Sequence, residues 1–226
     1  MSEKRVIAVI VEGPSDEIAI GGILKEFFSS EEVQFAVVHG DITSESSVTI
    51  ENAVSEVNKL VQGIVTRYGY KMDDFIRIIH IVDTDGAFTK DCIVKGDDSS
   101  TLYYEDHIET NRVEAIESRN KHKAEILFKL YTTGKINNIR YNVYYNSCNL
   151  EHVLHGKLMN YTDDEKARLS DDFAERYEGK VEEFIKYISD DSFAVPGTYK
   201  ETWKYIQKDK NSLKRNTNMR LIFEKK

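Results

Sequence analysis

Three absences narrow the class of protein before any motif is considered. The 226 residues contain two cysteines, Cys92 and Cys148, too few and too far apart for a disulfide framework or a zinc site. No stretch approaches the roughly 18 uninterrupted apolar residues that a membrane helix needs. The first apolar stretch ends at Glu12 without a small-residue cleavage site behind it, so we expect no signal peptide and a cytoplasmic protein that does not bind membranes.

The chain as a whole also lacks an excess of basic residues. Lys and Arg number 31 against 39 Asp and Glu, and the net charge of −8 excludes a generally cationic nucleic-acid binder but not a local basic face. With 40% hydrophobic and 31% charged residues, the composition is typical of a folded globular protein. The length predicts one domain, or one domain with an appendage.

A local basic face is indicated near the end of the chain. Residues 197–226, here called the basic segment, hold nine Lys and Arg against three acidic residues, with Tyr199, Trp203 and Tyr205 interleaved. Cations among aromatic rings suit single-stranded nucleic acid, which offers phosphates and stacked bases. A solvated helix with one buried aromatic stripe would give the same pattern. The nucleic-acid hypothesis assigns contacts to Lys200, Lys204, Lys208, Lys214 and Arg215.

Apolar periodicity predicts an α/β fold in the first 86 residues. Runs rich in β-branched residues at 5–11, 34–38 and 75–82 are typical of strands covered on both faces. Apolar residues at helical spacing fill both intervals between these runs. The β-α-β-α-β order implies a mostly parallel central sheet flanked by helices, with right-handed crossovers.

The remainder of the chain is more polar and less periodic. Residues 87–120 are interpreted as an insertion after the third strand, either an interface or a mobile lid. The predicted elements that follow are a short helix at 113–116, a helix at 121–131, a strand at 139–145, a helix at 149–158 and a mainly helical C-terminal segment from 161, with a short final strand at 219–223. We therefore divide the chain into a domain at 1–160 and a helical, basic segment at 161–226.

Acidic side chains stand where the predicted strands end. Glu12 ends the first strand, Asp41 follows the second, and Asp83 and Asp85 end the third. In parallel sheets, ligands bind beyond the carboxyl ends of the strands. Asp83 and Asp85 would project to the same side of an extended chain. Like charges of this kind need a neutralising cation, and oxygen ligands without Cys or His favour Mg²⁺ or Mn²⁺.

Several of these residues also have a structural explanation. Glu12 could cap the helix that follows it, and Asp41 could be a turn residue. Asp16 lies where the dipole of a helix favours an acid in its first turn. His39 and His80 are interpreted as a loop residue and a sheet-face residue rather than as ligands.

The segments VIVEGPSDE and IIHIVDTDG resemble the two motifs of a Toprim domain, the catalytic module of topoisomerases, bacterial primases and several nucleases. That family pairs a glutamate at the end of the first strand with an Asp-x-Asp at the end of the third. Glu12 matches the glutamate, and Asp83 and Asp85 match the Asp-x-Asp. The resemblance covers about residues 5–150 and implies a Rossmann-like Toprim fold.

Two further features are similar to the overcoming-lysogenization-defect (OLD)-like and RloB-like Toprim nucleases of bacterial anti-phage loci. Those branches often carry a second acid four residues after the glutamate, where Asp16 stands. The segment YYNSCNLEHVLH is similar to an Asn-x-Cys-Phe-Glu stretch of RloB-like proteins. Glu151 matches the glutamate of that stretch, and Leu150 replaces its aromatic residue.

The resemblance implies a metal-dependent nuclease that hydrolyses phosphodiester bonds in RNA or DNA, acting as the effector of an antiviral defence system. Glu12, Asp83 and Asp85 would be catalytic. Asp16 and Glu151 would join them as ligands of one or two Mg²⁺ or Mn²⁺ ions. Related proteins often work with an ABC-type ATPase partner, which would sense nucleotide because this chain has no Walker motif. The oligomeric state stays open, with a homo-oligomer as one alternative.

Two other functions remain compatible with the residues. One is a non-catalytic Toprim module that binds nucleic acid or a partner ATPase. The other is a phosphatase or nucleotidyl transferase that uses the same carboxylates on a small phosphate ester.

Overall fold

The computed structural model describes residues 5–38, 41–97 and 100–224. The strands in these ranges are β1 (Val6–Val11), β2 (Glu32–Val37), β3 (Phe75–Asp83), β4 (Ile93–Lys95), β5 (Leu102–Tyr103), β6 (Ile108–Thr110), β7 (Lys135–Ile136) and β8 (Ile139–Asn146). The helices are α1 (Pro14–Phe27), α2 (Ala53–Tyr68), α3 (Val113–Thr132), α4 (Leu150–His155), α5 (Asp163–Tyr177), α6 (Val181–Ile188) and α7 (Tyr199–Ile206). Short 3₁₀ helices lie at Met72–Asp74 and Met219–Ile222.

The main sheet has the strand order β2-β1-β3-β8-β7. β1 runs parallel to both β2 and β3, and β3 runs parallel to β8. The two-residue β7 pairs antiparallel with β8. The predicted α/β class with a mostly parallel central sheet and flanking helices is confirmed, and the arrangement is compatible with a Rossmann-like fold.

The central strand β1 shows how both faces of the sheet are covered. Each of its six residues is at most 1% exposed. Side chains alternate between the two faces of a strand. Val6, Ala8 and Ile10 pack in a cluster with residues of α2, α3 and α7, and the alternate residues pack with α1, α5 and α6. Burial on both faces explains why the sequence of this strand is apolar without interruption.

The segment predicted as an insertion differs from expectation at its end. Its first part forms a small sheet of order β4-β6-β5. The prediction of two separate helices at 113–116 and 121–131 is wrong, because α3 is one continuous helix of 20 residues. Asn120 and Lys123 lie on its buried face and interrupt the apolar periodicity on which the prediction relied. The predicted end of the insertion at residue 120 therefore falls inside α3.

The C-terminal segment contributes to both apolar clusters. Trp203 and Ile206 of α7 lie in the cluster with α2 and α3, and Phe173 of α5 lies in the cluster with α1. The strand predicted at 219–223 is wrong, because Met219–Ile222 is a 3₁₀ helix that places apolar side chains in the core. The helix predicted at 149–158 is shorter than expected and ends before Gly156, whose φ of 69° is left-handed.

Across the described ranges, none of the helices combines the length and the apolar character needed to cross a membrane.

Candidate functional site at the carboxyl edge of the sheet

Three strands end side by side at one edge of the sheet. Glu12 directly follows β1, and Asp83 is the last residue of β3. Asn146, the last residue of β8, is the register partner of Asp83. Because these strands are parallel, their carboxyl ends share this edge. The fold therefore places Glu12 beside Asp83, although the two are 71 positions apart in the chain.

A hydrogen bond joins these two acidic residues. The backbone N–H of Asp83 donates to Oε1 of Glu12 over 3.0 Å. Burial raises the pKa of both carboxyl groups well above the ordinary range, and the charge of Glu12 adds to the rise at Asp83. In the described part of the chain, neither carboxylate forms an ion pair with Lys or Arg. Carboxylates in this condition are stabilised by a cation or by a proton.

Asp16 lies on the first turn of α1, close to this pair. Its Oδ2 accepts the backbone N–H of Gly13 over 2.8 Å, which caps the start of the helix. Burial raises the pKa of Asp16 to about 6, and the charge of Glu151 adds to the rise. Asp16 therefore stabilises the start of α1, which agrees with the structural explanation of this residue, and it also lies near the predicted metal ligands Glu12 and Asp83.

Glu151 reaches the same edge from α4, which begins at an Asn149 cap. The residue is 6% exposed, and its Oε1 lies 3.3 Å from Nζ of Lys166 on α5. The charge of Glu151 contributes to the raised pKa of Asp83. The carboxylate of Glu151, which the resemblance to RloB-like proteins predicts to be a metal ligand, therefore interacts electrostatically with Asp83.

The extended arrangement predicted for Asp83 and Asp85 is wrong. β3 ends at Asp83, and Asp85 has a left-handed φ of 46°. The backbone N–H of Asp85 donates to the carbonyl of Cys148 over 3.0 Å, which holds the turn against the end of β8. Gly86 follows at φ 69°, and a Cβ there would lie 2.8 Å from Leu213. The chain leaves the sheet in a tight turn, so residue spacing no longer sets the direction of the Asp85 carboxylate.

Asp85 contacts a buried lysine that sequence reasoning missed. Nζ of Lys123 donates to Oδ2 of Asp85 over 2.5 Å and to Oδ2 of Asp41 over 2.7 Å, and its side chain is fully buried. Burial opposes the ammonium charge, but Asp85, Glu12 and Asp41 outweigh it and raise the pKa of Lys123. Despite its own burial, Asp41 has a pKa held well below the ordinary range, chiefly by Lys123. Asp41 is thus an ion-pair partner as well as a turn residue.

A signal for Lys123 was present in the sequence. It lies at helical spacing from Ile116, Leu127 and Leu130, all of which are buried on α3. A lysine on an otherwise buried helical stripe needs a carboxylate partner, since lysine is almost never fully buried alone. The partners could not have been named, because Asp41 and Asp85 come from distant loops.

We refer to the five predicted metal ligands, Glu12, Asp16, Asp83, Asp85 and Glu151, as the acidic edge. Their oxygen donors match the chemistry of Mg²⁺ or Mn²⁺, and burial leaves Glu12 and Asp83 in need of a counter-charge. Among residues 5–38, 41–97 and 100–224, however, no group of three or more His, Cys, Asp or Glu side chains is close enough as placed to hold a metal ion. A cation at the acidic edge would therefore require carboxylates to turn toward it.

The predicted nucleic-acid contacts fall into two groups. Lys200, Lys204, Lys208 and Lys214 are exposed. Arg215 is half-buried, and its guanidinium donates to the carbonyl of Val153 and to the hydroxyl of Tyr187 over 2.6 to 2.9 Å. The same guanidinium lies 4.0 Å from the ring centre of Phe193. Arg215 therefore packs against the protein, whereas the four lysines face solvent.

The aromatic residues of the basic segment are divided in the same way. Trp203 is fully buried, stacks on Tyr131 with ring centres 4.5 Å apart, and donates its N–H to the carbonyl of Val143. Tyr205 is 39% exposed. The structure thus matches the alternative of a solvated helix with a buried aromatic stripe, and Trp203 is not available for stacking on bases.

The structure tests one of the two histidine predictions. His80 is fully buried on β3, with Nδ1 2.8 Å from the hydroxyl of Tyr141, as expected for a sheet-face residue. His39 lies outside the described residues, as do Lys225 and Lys226 of the basic segment.

A cavity of about 840 Å³ opens between α3 and the segment that follows Gly86. Ala87, Phe88, Asn120 and Phe128 are among its lining residues. Three lysines and three acidic residues also line it, so it has no excess of either charge. None of the predicted metal ligands lines this cavity.

Comparisons with known proteins add no family to this description, since no protein-family model, curated protein or solved structure matches the chain.

Proposed function

We propose that this protein is a Toprim-type, metal-dependent nuclease that hydrolyses phosphodiester bonds in RNA or DNA. The observation that carries the proposal is the pairing of Glu12 with Asp83 at adjacent ends of parallel strands, where burial raises the pKa of both carboxyl groups. These are the strand positions at which the resemblance places the acidic residues of a Toprim domain. The mostly parallel sheet supports the proposal, because ligands bind at this edge in such sheets.

Glu12 and Asp83, together with Asp16 or Glu151, would hold Mg²⁺ or Mn²⁺. The bound ion would lower the pKa of a water molecule and neutralise charge on the phosphate oxygens. If the other carboxylates hold the ion, Glu12 would serve instead as the acid or base, since burial raises the pKa of its carboxyl group when no ion is bound to it. The N–H of Asp83 orients one oxygen of Glu12 and leaves the other for substrate, water or metal.

The biological setting rests on the resemblance to OLD-like and RloB-like proteins. Within this proposal the nuclease is a defence effector that acts in the cytoplasm with an ABC-type ATPase partner. Exposed Lys200, Lys204 and Lys208 would attract the phosphate backbone of the substrate.

The test is cleavage of single- and double-stranded RNA and DNA by the purified chain in Mg²⁺ or Mn²⁺. We expect Glu12→Gln and Asp83→Asn to reduce cleavage by about 10²-fold or more, as expected when a group that acts in the transition state is removed. Glu26→Gln on the exposed face of α1 and Asp73→Asn before β3 are matched controls and should retain activity. Cleavage that persists in both Glu12→Gln and Asp83→Asn would contradict the proposal.

A non-catalytic module that binds nucleic acid or a partner ATPase is the second candidate. It is favoured by Lys123, which neutralises Asp85, and by the distance between the carboxylates as placed. This candidate predicts nucleic-acid or partner binding that is unchanged by EDTA and occurs without turnover. Metal-dependent cleavage that is lost in Glu12→Gln would exclude it.

A further inference from the structure

Lys123 divides the acidic edge and its surroundings into two parts. Asp41 and Asp85 share the Lys123 ammonium through hydrogen bonds of 2.7 and 2.5 Å, and we call these three residues the lysine-paired half. Glu12 and Asp83 accept no hydrogen bond from this lysine among the contacts of the described residues. We call these two carboxylates, together with the neighbouring Asp16 and Glu151, the open half.

The ammonium of Lys123 cannot leave the site without unpacking the helix that carries it. The lysine side chain is fully buried, and α3 is anchored in the core by Ile126, Leu127 and Leu130. If the ammonium moved away, Asp41 would lose the cation that compensates for its burial. Lys123 therefore behaves as a fixed charge of the fold and not as a mobile side chain.

A fixed ammonium at this place restricts where a divalent ion can bind. Mg²⁺ needs oxygen ligands at about 2.0–2.1 Å. Oδ2 of Asp85 is already in contact with the ammonium, and a divalent ion on that oxygen would meet the repulsion of a second cation in a buried setting. In the open half, Lys166 lies 3.3 Å from Glu151, and the charge of Lys123 also acts on Glu12. Among the described residues, however, neither Glu12 nor Asp83 forms an ion pair with Lys or Arg, and their charges repel one another.

We propose that Lys123 serves as a built-in cation that takes the place of a second metal ion, so that the site binds one divalent ion in the open half. Asp85 is then a positioning residue, held by Lys123, and not a metal ligand. This inference rests on the proposed function, because it assumes that the acidic edge binds a divalent ion. It also assigns Asp85 a role different from the one implied by the sequence resemblance.

The test is an equilibrium titration of the full chain with Mn²⁺, followed by electron paramagnetic resonance of free Mn²⁺ and by calorimetry. We expect one ion per chain. Asp85→Asn should keep one ion with affinity within about threefold of the wild type, whereas Asp83→Asn should weaken binding at least about tenfold. Two ions in the wild type, or equal losses in Asp85→Asn and Asp83→Asn, would overturn the inference and leave the proposed nuclease intact. No Mn²⁺ binding at millimolar concentration would overturn both.

A second variant removes the built-in cation directly. The double substitution Lys123→Met with Asp41→Asn deletes the ammonium and one of its buried partners, so that no uncompensated charge is left at Asp41. Asp85 then becomes available, and we expect a second Mn²⁺ per chain. Lys121→Met, on the exposed face of the same helix, is the matched control and should still bind one ion. A folded double variant that binds one ion only would overturn the inference.

Discussion

The acidic edge and the basic segment are both concentrations of like charge, but the fold treats them differently. Carboxyl groups from β3, α1, α4 and the strand ends are brought together and partly buried, and the pKa values of Glu12 and Asp83 rise as a result. In the basic segment the lysines that the structure describes remain exposed, while Trp203 and Arg215 pack against the protein. Charges concentrated by tertiary structure retain an electrostatic cost that a ligand can relieve, whereas charges on exposed side chains are already solvated.

Trp203→Ala tests whether the aromatic residues of the basic segment belong to the core. Because Trp203 is fully buried and stacked on Tyr131, we expect the free energy of unfolding to fall by about 3–5 kcal/mol. Denaturant unfolding followed by circular dichroism measures this change. Tyr205→Ala, at the exposed position, should change the free energy by less than about 1 kcal/mol. A stable Trp203→Ala protein with weakened binding of single-stranded nucleic acid would instead restore the base-stacking hypothesis.

Asp16→Asn tests whether the acidic edge carries an electrostatic cost. Burial raises the pKa of Asp16 to about 6, so the folded state binds a proton more tightly than the unfolded state does. The wild type without metal should therefore lose stability as pH rises from about 4 to about 6, by up to about 2 kcal/mol after allowance for partial exposure. Asp16→Asn should remove this part of the slope, measured by thermal unfolding at several pH values.

Added Mg²⁺ provides the control for the pH experiment. If a divalent ion neutralises the acidic edge, the wild-type slope should flatten in Mg²⁺, and the slope of Asp16→Asn should change less. A wild type and an Asp16→Asn variant with the same pH dependence would show that the charge of Asp16 is already relieved by Lys166 or by solvent.

The triple substitution Lys200→Ala, Lys204→Ala and Lys208→Ala gives the smallest expected effect on stability. These exposed side chains should each contribute less than about 0.5 kcal/mol to the free energy of unfolding. If they contact phosphates, the slope of log affinity against log salt should decrease by about two to three in filter-binding measurements. The matched control replaces exposed lysines outside the basic segment, Lys59, Lys71 and Lys135. Equal slopes in the two triple variants would remove the basic segment from the binding surface.

Strands buried on both faces were the most predictable part of the molecule. The apolar residues of β1 and β3 follow one another too closely for the spacing of an amphipathic helix, and the ends of these runs predict that Glu12 and Asp83 lie at one edge. The continuous α3 was less predictable, because Asn120 and Lys123 are polar residues on a buried face. Their burial depends on partners elsewhere in the chain, which periodicity does not detect.

The direction of individual side chains was not predictable from spacing. Asp83 and Asp85 differ because the chain leaves the sheet between them: β3 ends at Asp83, and Asp85 has a left-handed φ, with its N–H donated to the carbonyl of Cys148. Arg215 resembled a phosphate-binding residue in the sequence, but the carbonyl of Val153 and the hydroxyl of Tyr187 satisfy it in the fold. Each of these outcomes depends on contacts between residues far apart in the chain.

The sequence by itself determined the α/β class, the succession of the first three strands along the chain and the meeting of acidic residues at one edge of the sheet. These features follow from local apolar patterns and from the geometry of parallel strands. Tertiary structure alone decided which carboxylates are paired and which are not. A fully buried lysine from α3 pairs with Asp85 and Asp41, whereas Glu12 and Asp83 have no ion-pair partner within the described part of the chain. The physical reason is that burial makes each charge depend on the particular groups within a few ångströms, and those groups come from distant parts of the chain.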